Sequence, residues 1–219
     1  MADSNTNKTL KELEQSYLDG KYDNVKDGLI AVKSDVDLGQ FHYNLGTVLA
    51  KNSEFGASRY NLEKAKKLGF NYPGLDKNLD SVVKVINSTN PGIARESLLD
   101  FAVTSSEGLF LFMSLVLCLI VTLLKKGRVI QKNRTFVILL MMAFVPYIFK
   151  KTYVDTSYKI GVNIKGLKIY EGPSDIYPVL KEIGEGQKVI IEKSFEDWML
   201  ISSPKQFAGW VKRSELGLL

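Results

Sequence analysis

Residues 108–124 read GLFLFMSLVLCLIVTLL and residues 135–149 read TFVILLMMAFVPYIF, two runs without a charged side chain, joined by KKGRVIQKNR at 125–134. At about 1.5 Å of rise per residue these helices would cover roughly 22 to 26 Å, slightly less than the roughly 30 Å hydrocarbon core of a bilayer. Lys125, Lys126, Arg134, Lys150 and Lys151 at the ends of the runs can reach headgroups, and Tyr147 and Tyr153 suit the interface. The expectation is a two-helix transmembrane hairpin: helix 1 over 108–124, a basic loop over 125–134 and helix 2 over 135–151. A buried hairpin of a soluble protein is the competing reading, because a fifteen-residue run on its own is ambiguous. Pro146 near the end of the second run is expected to bend the helix without breaking it.

The loop holds Lys125, Lys126, Arg128, Lys132 and Arg134 and no acidic residue. The excess of cations in short cytoplasmic loops places it in the cytoplasm and both termini outside. Lys150 and Lys151 on the far side weigh against this orientation. The long polar segment before the first span must then be exported. Its opening, MADSNTNKT, looks like the mature start of an exported protein with Met placed in front, so a signal peptide upstream is expected.

Composition narrows the chemistry. The chain of 219 residues is 45% hydrophobic and 24% charged, near the soluble average, but its apolar content is concentrated in the two runs. The net charge of +5 is spread along the chain, apart from the loop, so a membrane explains it better than nucleic acid, and no nucleic-acid partner is expected. A single cysteine, Cys118, and a single histidine, His42, leave no disulfide framework, cysteine metal site or multi-histidine metal site. No phosphate-binding glycine loop and no paired nucleophile and base are found. The chain is therefore read as no enzyme, without cofactor or metal.

Ahead of the runs, residues 39–70 read GQFHYNLGTVLAKNSEFGASRYNLEKAKKLGF. Leu45, Gly46, Leu49, Phe55, Ser58, Leu62, Ala65 and Leu68 are spaced as two antiparallel helices. The stretch resembles a tetratricopeptide repeat: Gly46 and Ala65 supply the small residues where the helices touch, and Phe55 the aromatic that begins the second helix. It departs from that pattern at His42, usually aromatic, at Ser58, usually alanine, and in lacking the terminal proline. Gly20-Lys21-Tyr22 matches Ser53-Glu54-Phe55 at an offset of thirty-three residues, so Leu10 to Lys33 is expected to be an earlier repeat. Leu75, Leu79, Val82, Val83 and Ile86 share one face of a closing helix. Residues 1–90 are thus expected to be an all-α tetratricopeptide-repeat solenoid with a concave face for a peptide or helix. The resemblance points to the inner helix of the second repeat, with His42, Asn44 and Lys51 as candidate partner contacts; solvated surface is the plain alternative.

NSTNPG at 87–92 reads as a turn and residues 91–107 as an amphipathic linker helix, with Ser105 and Ser106 as caps for the helix that follows.

After Tyr153 the period becomes strand-like. Leu167 to Tyr170, Gly172-Pro173, Tyr177-Pro178, Gly184 and Gly186 before Lys188 to Ile191, Trp198 opening a strand and Gly209-Trp210-Val211 closing resemble a bacterial SH3 domain. An all-β SH3-like barrel is therefore expected over 157–219. Glycine before tryptophan permits a tight approach of strands while the large ring closes the barrel end. The family's frequent Asn-x-Arg before the Gly-Pro loop is replaced by Lys168 to Glu171. Tyr170, Tyr177, Trp198 and Trp210 are candidate partner contacts, with barrel core as the alternative for the two tryptophans. Glu185, Glu196 and Asp197 read as solvated turn residues.

Repeats, two spans with a basic connector and a terminal barrel, in that order, look like the BatE-type proteins of the Bacteroides aerotolerance operon. That resemblance implies a multidomain protein of a bacterial inner membrane, with repeats and barrel in the periplasm. It also implies work beside membrane proteins with von Willebrand factor A domains, other envelope proteins and a MoxR-type ATPase. A scaffold is the leading expectation, and an envelope sensor or anchor whose barrel binds peptidoglycan is the alternative.

Overall fold

The computed structural model describes residues 4–89 and 98–219. They divide into two units, one formed by residues 1–94 with 161–219 and the other by residues 95–160.

The first unit opens with helices α1 (Ser4–Leu18), α2 (Tyr22–Ala31), α3 (Leu38–Lys51), α4 (Phe55–Lys67) and α5 (Pro73–Thr89). The thirty-three-residue offset is a geometric repeat. At the α1–α2 turn Gly20 has φ 76° and the Lys21 amide donates to Ser16 O at 2.9 Å; at the α3–α4 turn Ser53 has φ 62° and the Glu54 amide donates to Leu49 O at 2.9 Å. Both are left-handed helix endings that reuse orphaned carbonyls, and glycine takes that conformation more readily than serine. Asp37 caps α3 by accepting from the Gln40 amide at 2.9 Å.

Gly46 lets α3 and α4 close up, since a β-carbon there would stand 2.8 Å from Leu62 Cγ, and the Ser58 hydroxyl donates to Gly46 O at 2.7 Å. Val25, Leu29, Phe41 and Val48 form one core cluster, and Leu62, Ala65, Leu75, Leu79, Val82 and Ile86 another. Val83 only flanks the latter, and Leu68, expected inside, is an exposed C-cap beyond the last turn of α4. The helix α5 runs on to Thr89, so Asn87 to Thr89 are helical rather than a turn; Asn90 to Gly92 and the first half of the expected linker helix lie outside the described residues.

The same unit carries β1 (Lys159–Asn163, from Gly161 on), β2 (Leu167–Tyr170), β3 (Val179–Ile183), β4 (Lys188–Phe195), β5 (Trp198–Ser203), β6 (Gly209–Lys212) and β7 (Leu216–Leu218). They form one antiparallel sheet in the order β3-β2-β6-β5-β4-β1-β7. Its core is Leu167, Ile169, Ile183, Val189, Ile191, Met199, Ile201, Phe207, Val211 and Leu216. Gly209 does what its place before a tryptophan requires: with φ 149°, it brings β6 against β2, where a β-carbon would lie 3.0 Å from Tyr170 O.

Helices and sheet meet along α4. Arg59, 7% exposed, donates from Nη1 to Gly186 O at 2.7 Å. Glu63 pairs with Lys188 Nζ at 2.9 Å and with Arg59 Nε at 3.8 Å. Lys64 donates to Leu218 O at 3.2 Å. Glu185, read above as a solvated turn residue, accepts from the Gly56 amide at 3.0 Å. It caps the first turn of α4, for which Glu54 makes no side-chain cap. The loop that carries Glu185 is held by the buried Asn163, which donates to Lys165 O at 2.9 Å and Gly184 O at 2.6 Å and accepts from the Gln187 amide.

The second unit holds α6 (Leu98–Thr104), α7 (Glu107–Lys126), α8 (Asn133–Ala143), α9 (Val145–Phe149), a π-helical stretch at Lys150–Val154 and α10 (Asp155–Ser157). Two helices, Glu107–Lys126 and Asn133–Ser157, are long and apolar enough to cross a membrane. Both exceed the spans read from the apolar runs, because charged and polar residues at their ends also wind into helix. Ser106 caps α7 through the Leu109 amide at 3.3 Å. Pro146 lies in the first turn of α9, after a one-residue break at Phe144, where a missing amide costs least.

Lys150 corrects the sequence reading most. Expected to reach outward, it is 2% exposed, with Nζ 2.6 Å from Asp155 Oδ1, 3.4 Å from Val103 O and 6.0 Å from the centre of the Phe110 ring. Five residues apart, Lys150 and Asp155 would sit on different faces of an α-helix. The wider π turn brings them to one side.

Candidate binding faces

The first candidate face is a groove of about 590 Å³ along α1, α2 and α3, walled by Leu10, Leu13, Tyr17, Tyr43, Asn44, Thr47 and Tyr72 among others. Asn78 Nδ2 donates to the Thr47 hydroxyl oxygen at 3.1 Å and lies 3.4 Å from the Tyr43 hydroxyl, while Tyr43 packs 5.2 Å from Tyr72 and 5.4 Å from Phe70. Burial pushes the Tyr43 phenol above its usual range. A wall of tyrosines with small polar groups offers flat apolar contact at low entropic cost together with directional bonds.

Of the three helical candidates, the structure puts Asn44 in this groove. Lys51 is exposed in the last turn of α3. His42 turns toward α4: Asn61 Nδ2 donates to Ala57 O at 2.8 Å, which leaves Asn61 Oδ1 to accept from His42 Nδ1 at 2.8 Å. Its ring packs edge-on to Phe41 and Tyr60. His42 is a half-buried joint between helices rather than an outward contact. Tyr17 on α1, Tyr43 on α3 and Tyr72 in the loop before α5 are the groove residues the sequence reading passed over; no regular spacing links them.

Burial holds the His42 imidazole below its ordinary range, with Lys33 and Lys64 adding to the effect and the Asn61 bond opposing it. The neutral ring is the folded form. Stability is therefore fully present above the unfolded value of about 6.5 and is lost as pH falls from there through the lowered folded value. Thermal unfolding followed from pH 7.5 to pH 5 is expected to show a falling midpoint that His42→Gln flattens; parallel profiles for the two proteins would refute the assignment.

The second candidate face lies on the sheet. In register, Tyr170 pairs with Trp210, Trp210 with Leu200, and Trp198 with Lys212. Side chains alternate across a strand, so these five share the face opposite the one that buries Met199, Ile201 and Val211. Tyr170 meets Trp198 edge to face at 5.1 Å, Lys212 Nζ lies 5.6 Å from the Trp198 ring centre, and Lys212 pairs with Asp175 at 2.7 Å. The Asp175 hydrogen bond raises the Lys212 ammonium above its usual range.

That pair ties the loop of residues 171–178 to β6. The loop carries Tyr177, 47% exposed with its ring against Gly172, and Ile176, 93% exposed. Trp198 is 8% exposed but stands outside the sheet's core cluster, covered on the opposite face by Tyr170 and Lys212, while Tyr170 and Trp210 are half-buried. Three of the four aromatic candidates are thus brought together, with the fourth in the tethered loop.

Nothing matches this chain among protein-family models, curated proteins or solved structures. The two faces therefore rest on their own geometry.

In the basic connector, Lys125 folds inward, donating to Gln131 O and Asn133 Oδ1 at 2.9 Å each with the Phe136 ring 5.9 Å away. Lys126, Arg128, Lys132 and Arg134 are exposed, and Arg128 takes a positive φ of 61° at the turn. Four of the five expected orientation residues therefore present charge outward, and the fifth shapes the loop.

Proposed function

We propose that this chain is a membrane-tethered, non-enzymatic scaffold that holds protein partners on the tyrosine-lined groove and on the aromatic face of the sheet. The observation that carries the reading is that both faces stand on one compact unit, while the sequence between its two halves supplies two helices apolar enough to cross a bilayer. Neither face presents a nucleophile with a base beside it; each offers aromatic surface flanked by hydrogen-bonding groups, the makeup of a protein contact.

In the finer form of the proposal, the helices are a tetratricopeptide-type array, the sheet is an SH3-like barrel and the membrane is a bacterial inner membrane. Two crossings return the chain to the side it left, which agrees with contacts between α4 and the sheet. The exposed cations of the connector favour the cytoplasm for the loop and the periplasm for the large unit. The partners are membrane proteins with von Willebrand factor A domains, working with a MoxR-type ATPase.

The test is in-cell crosslinking and mild-detergent co-purification of the full chain, compared with Tyr43→Ala in the groove and Trp210→Ala on the sheet. Point variants suit it better than deletions, because removing either half strips contacts from the other. Recovery of proteins with von Willebrand factor A domains, lost in the groove variant, is the expected result. Retention on purified cell wall alone, abolished by Trp210→Ala, would replace the scaffold with a peptidoglycan anchor.

A further inference from the structure

Ile86 of α5 is buried as part of the helical core, yet Gly186 of the loop between β3 and β4 lies against it: a β-carbon on Gly186, whose φ is 77°, would stand 2.9 Å from Ile86 Cγ1. Gly217 lies against Tyr60 in the same way, 2.7 Å from its Cε2. The polar groups of α4 show the same dependence. The Arg59 guanidinium, nearly removed from solvent, has its 2.7 Å partner in Gly186 O, 127 residues away, and the Gly56 amide finds its acceptor in Glu185, 129 residues away. Without the sheet these groups would turn to water and the surfaces of Ile86 and Tyr60 that pack on it would be uncovered, so α4 and α5 gain this burial and these bonds only with the sheet in place. The sheet in turn would expose the loop that Asn163 holds in place.

We infer that residues 1–94 and 161–219 are a single cooperative domain, and that the apolar hairpin is inserted within it rather than linking two independent modules. The helical half completes its packing only after residues 161–219 have returned to it. An independent repeat array and barrel would unfold separately. A single domain unfolds in both halves at once, and damage to one half is felt in the other. Binding at either face then stabilises the whole domain against unfolding by mass action.

The two tryptophans, Trp198 and Trp210, are the only ones in the chain and both lie in the sheet, so tryptophan fluorescence of the full-length protein reports on the sheet half alone. Leu62, fully buried in the helical core, is replaced by alanine and the fluorescence melt recorded in detergent micelles. Hydrogen exchange of peptides from residues 38–67 follows the helical half in the same samples. The expected result is a drop of roughly 5 to 15 °C in the tryptophan midpoint, with both halves opening together. Val82→Ala gives a smaller shift of the same kind and serves where Leu62→Ala does not fold; Leu119→Ala, on the exposed side of α7, leaves the midpoint in place. An unmoved tryptophan midpoint alongside faster exchange in residues 38–67 would overturn the inference, and it would leave the scaffold reading standing with two independent modules.

Discussion

Glu63→Ala is expected to destabilise the large unit by about 3 to 5 kcal/mol, the usual consequence of removing one partner from a buried ionic group. Glu63 stands between two cations, Arg59 Nε at 3.8 Å and Lys188 Nζ at 2.9 Å, and the three side chains are 14%, 8% and 17% exposed respectively. At that burial the carboxylate offsets two charges that water no longer solvates. With it gone, Arg59 and Lys188 face each other across the α4–sheet contact. Arg59 keeps its bond to Gly186 O, while Lys188 loses the Glu63 carboxylate.

Lys188→Met is expected to cost less, because Arg59 still faces Glu63 and the methionine fills much of the lysine stem's volume. The double variant Glu63→Leu with Lys188→Met recovers part of the loss, since apolar residues of similar size replace a charge pair at little cost. Denaturant melts of the wild type, Glu63→Leu, Lys188→Met and the double variant in one detergent give the coupling as a double-mutant cycle. A coupling near zero would mean that the cluster is solvated and that α4 is held to the sheet by other contacts. High salt should change the wild-type stability little, because buried pairs are weakly screened.

Gly56→Ala is expected to cost about 1 to 3 kcal/mol, the usual range for forcing volume into a packed contact. A β-carbon at position 56 would press on Ile164 O and, at 2.9 Å, on Asn163 O and Glu185 Cβ. Ile164 and Asn163 meet it with backbone carbonyls, which cannot swing aside as a flexible side chain can. The Asn163 carbonyl also accepts from the Gly186 amide at 2.8 Å, so moving it disturbs the loop that carries Glu185. The same substitution in a free helix should be favourable, since alanine is the better helix former by about 1 kcal/mol. The sign of the effect thus separates a docked α4 from an undocked one. A melt of Gly56→Ala equal to or above that of the wild type would show the helix and the sheet apart.

Much of the architecture was legible along the chain because it rests on local, repeating signals. Uncharged runs mark α7 and α8, and the thirty-three-residue offset between Gly20 and Ser53 marks two turns that share one hydrogen-bond pattern. Ser106 announces the start of α7, and the glycine before Trp210 marks the close approach of β6 to β2. The aromatic face was half legible: Tyr170, Tyr177, Trp198 and Trp210 read as candidate contacts, with barrel core as the alternative for the tryptophans, but the meeting of Tyr170, Trp198 and Trp210 on one side depends on a register that neighbouring residues do not encode.

What escaped notice was the role of polar residues whose partners lie far away in sequence or across an unusual turn. Glu185 read as a turn residue, Lys150 as a headgroup contact and His42 as a ligand contact, and each is an internal joint. Periodicity reports which side of an element is apolar, because burial of apolar surface is non-directional and averages over many residues. A hydrogen bond or ion pair is directional and made between two particular atoms, so it leaves no period to read. The chain's pattern therefore specified helices, strands and the apolar hairpin, while the joining of α4 to the sheet across more than a hundred intervening residues was settled by which buried charges and amides found one another on folding.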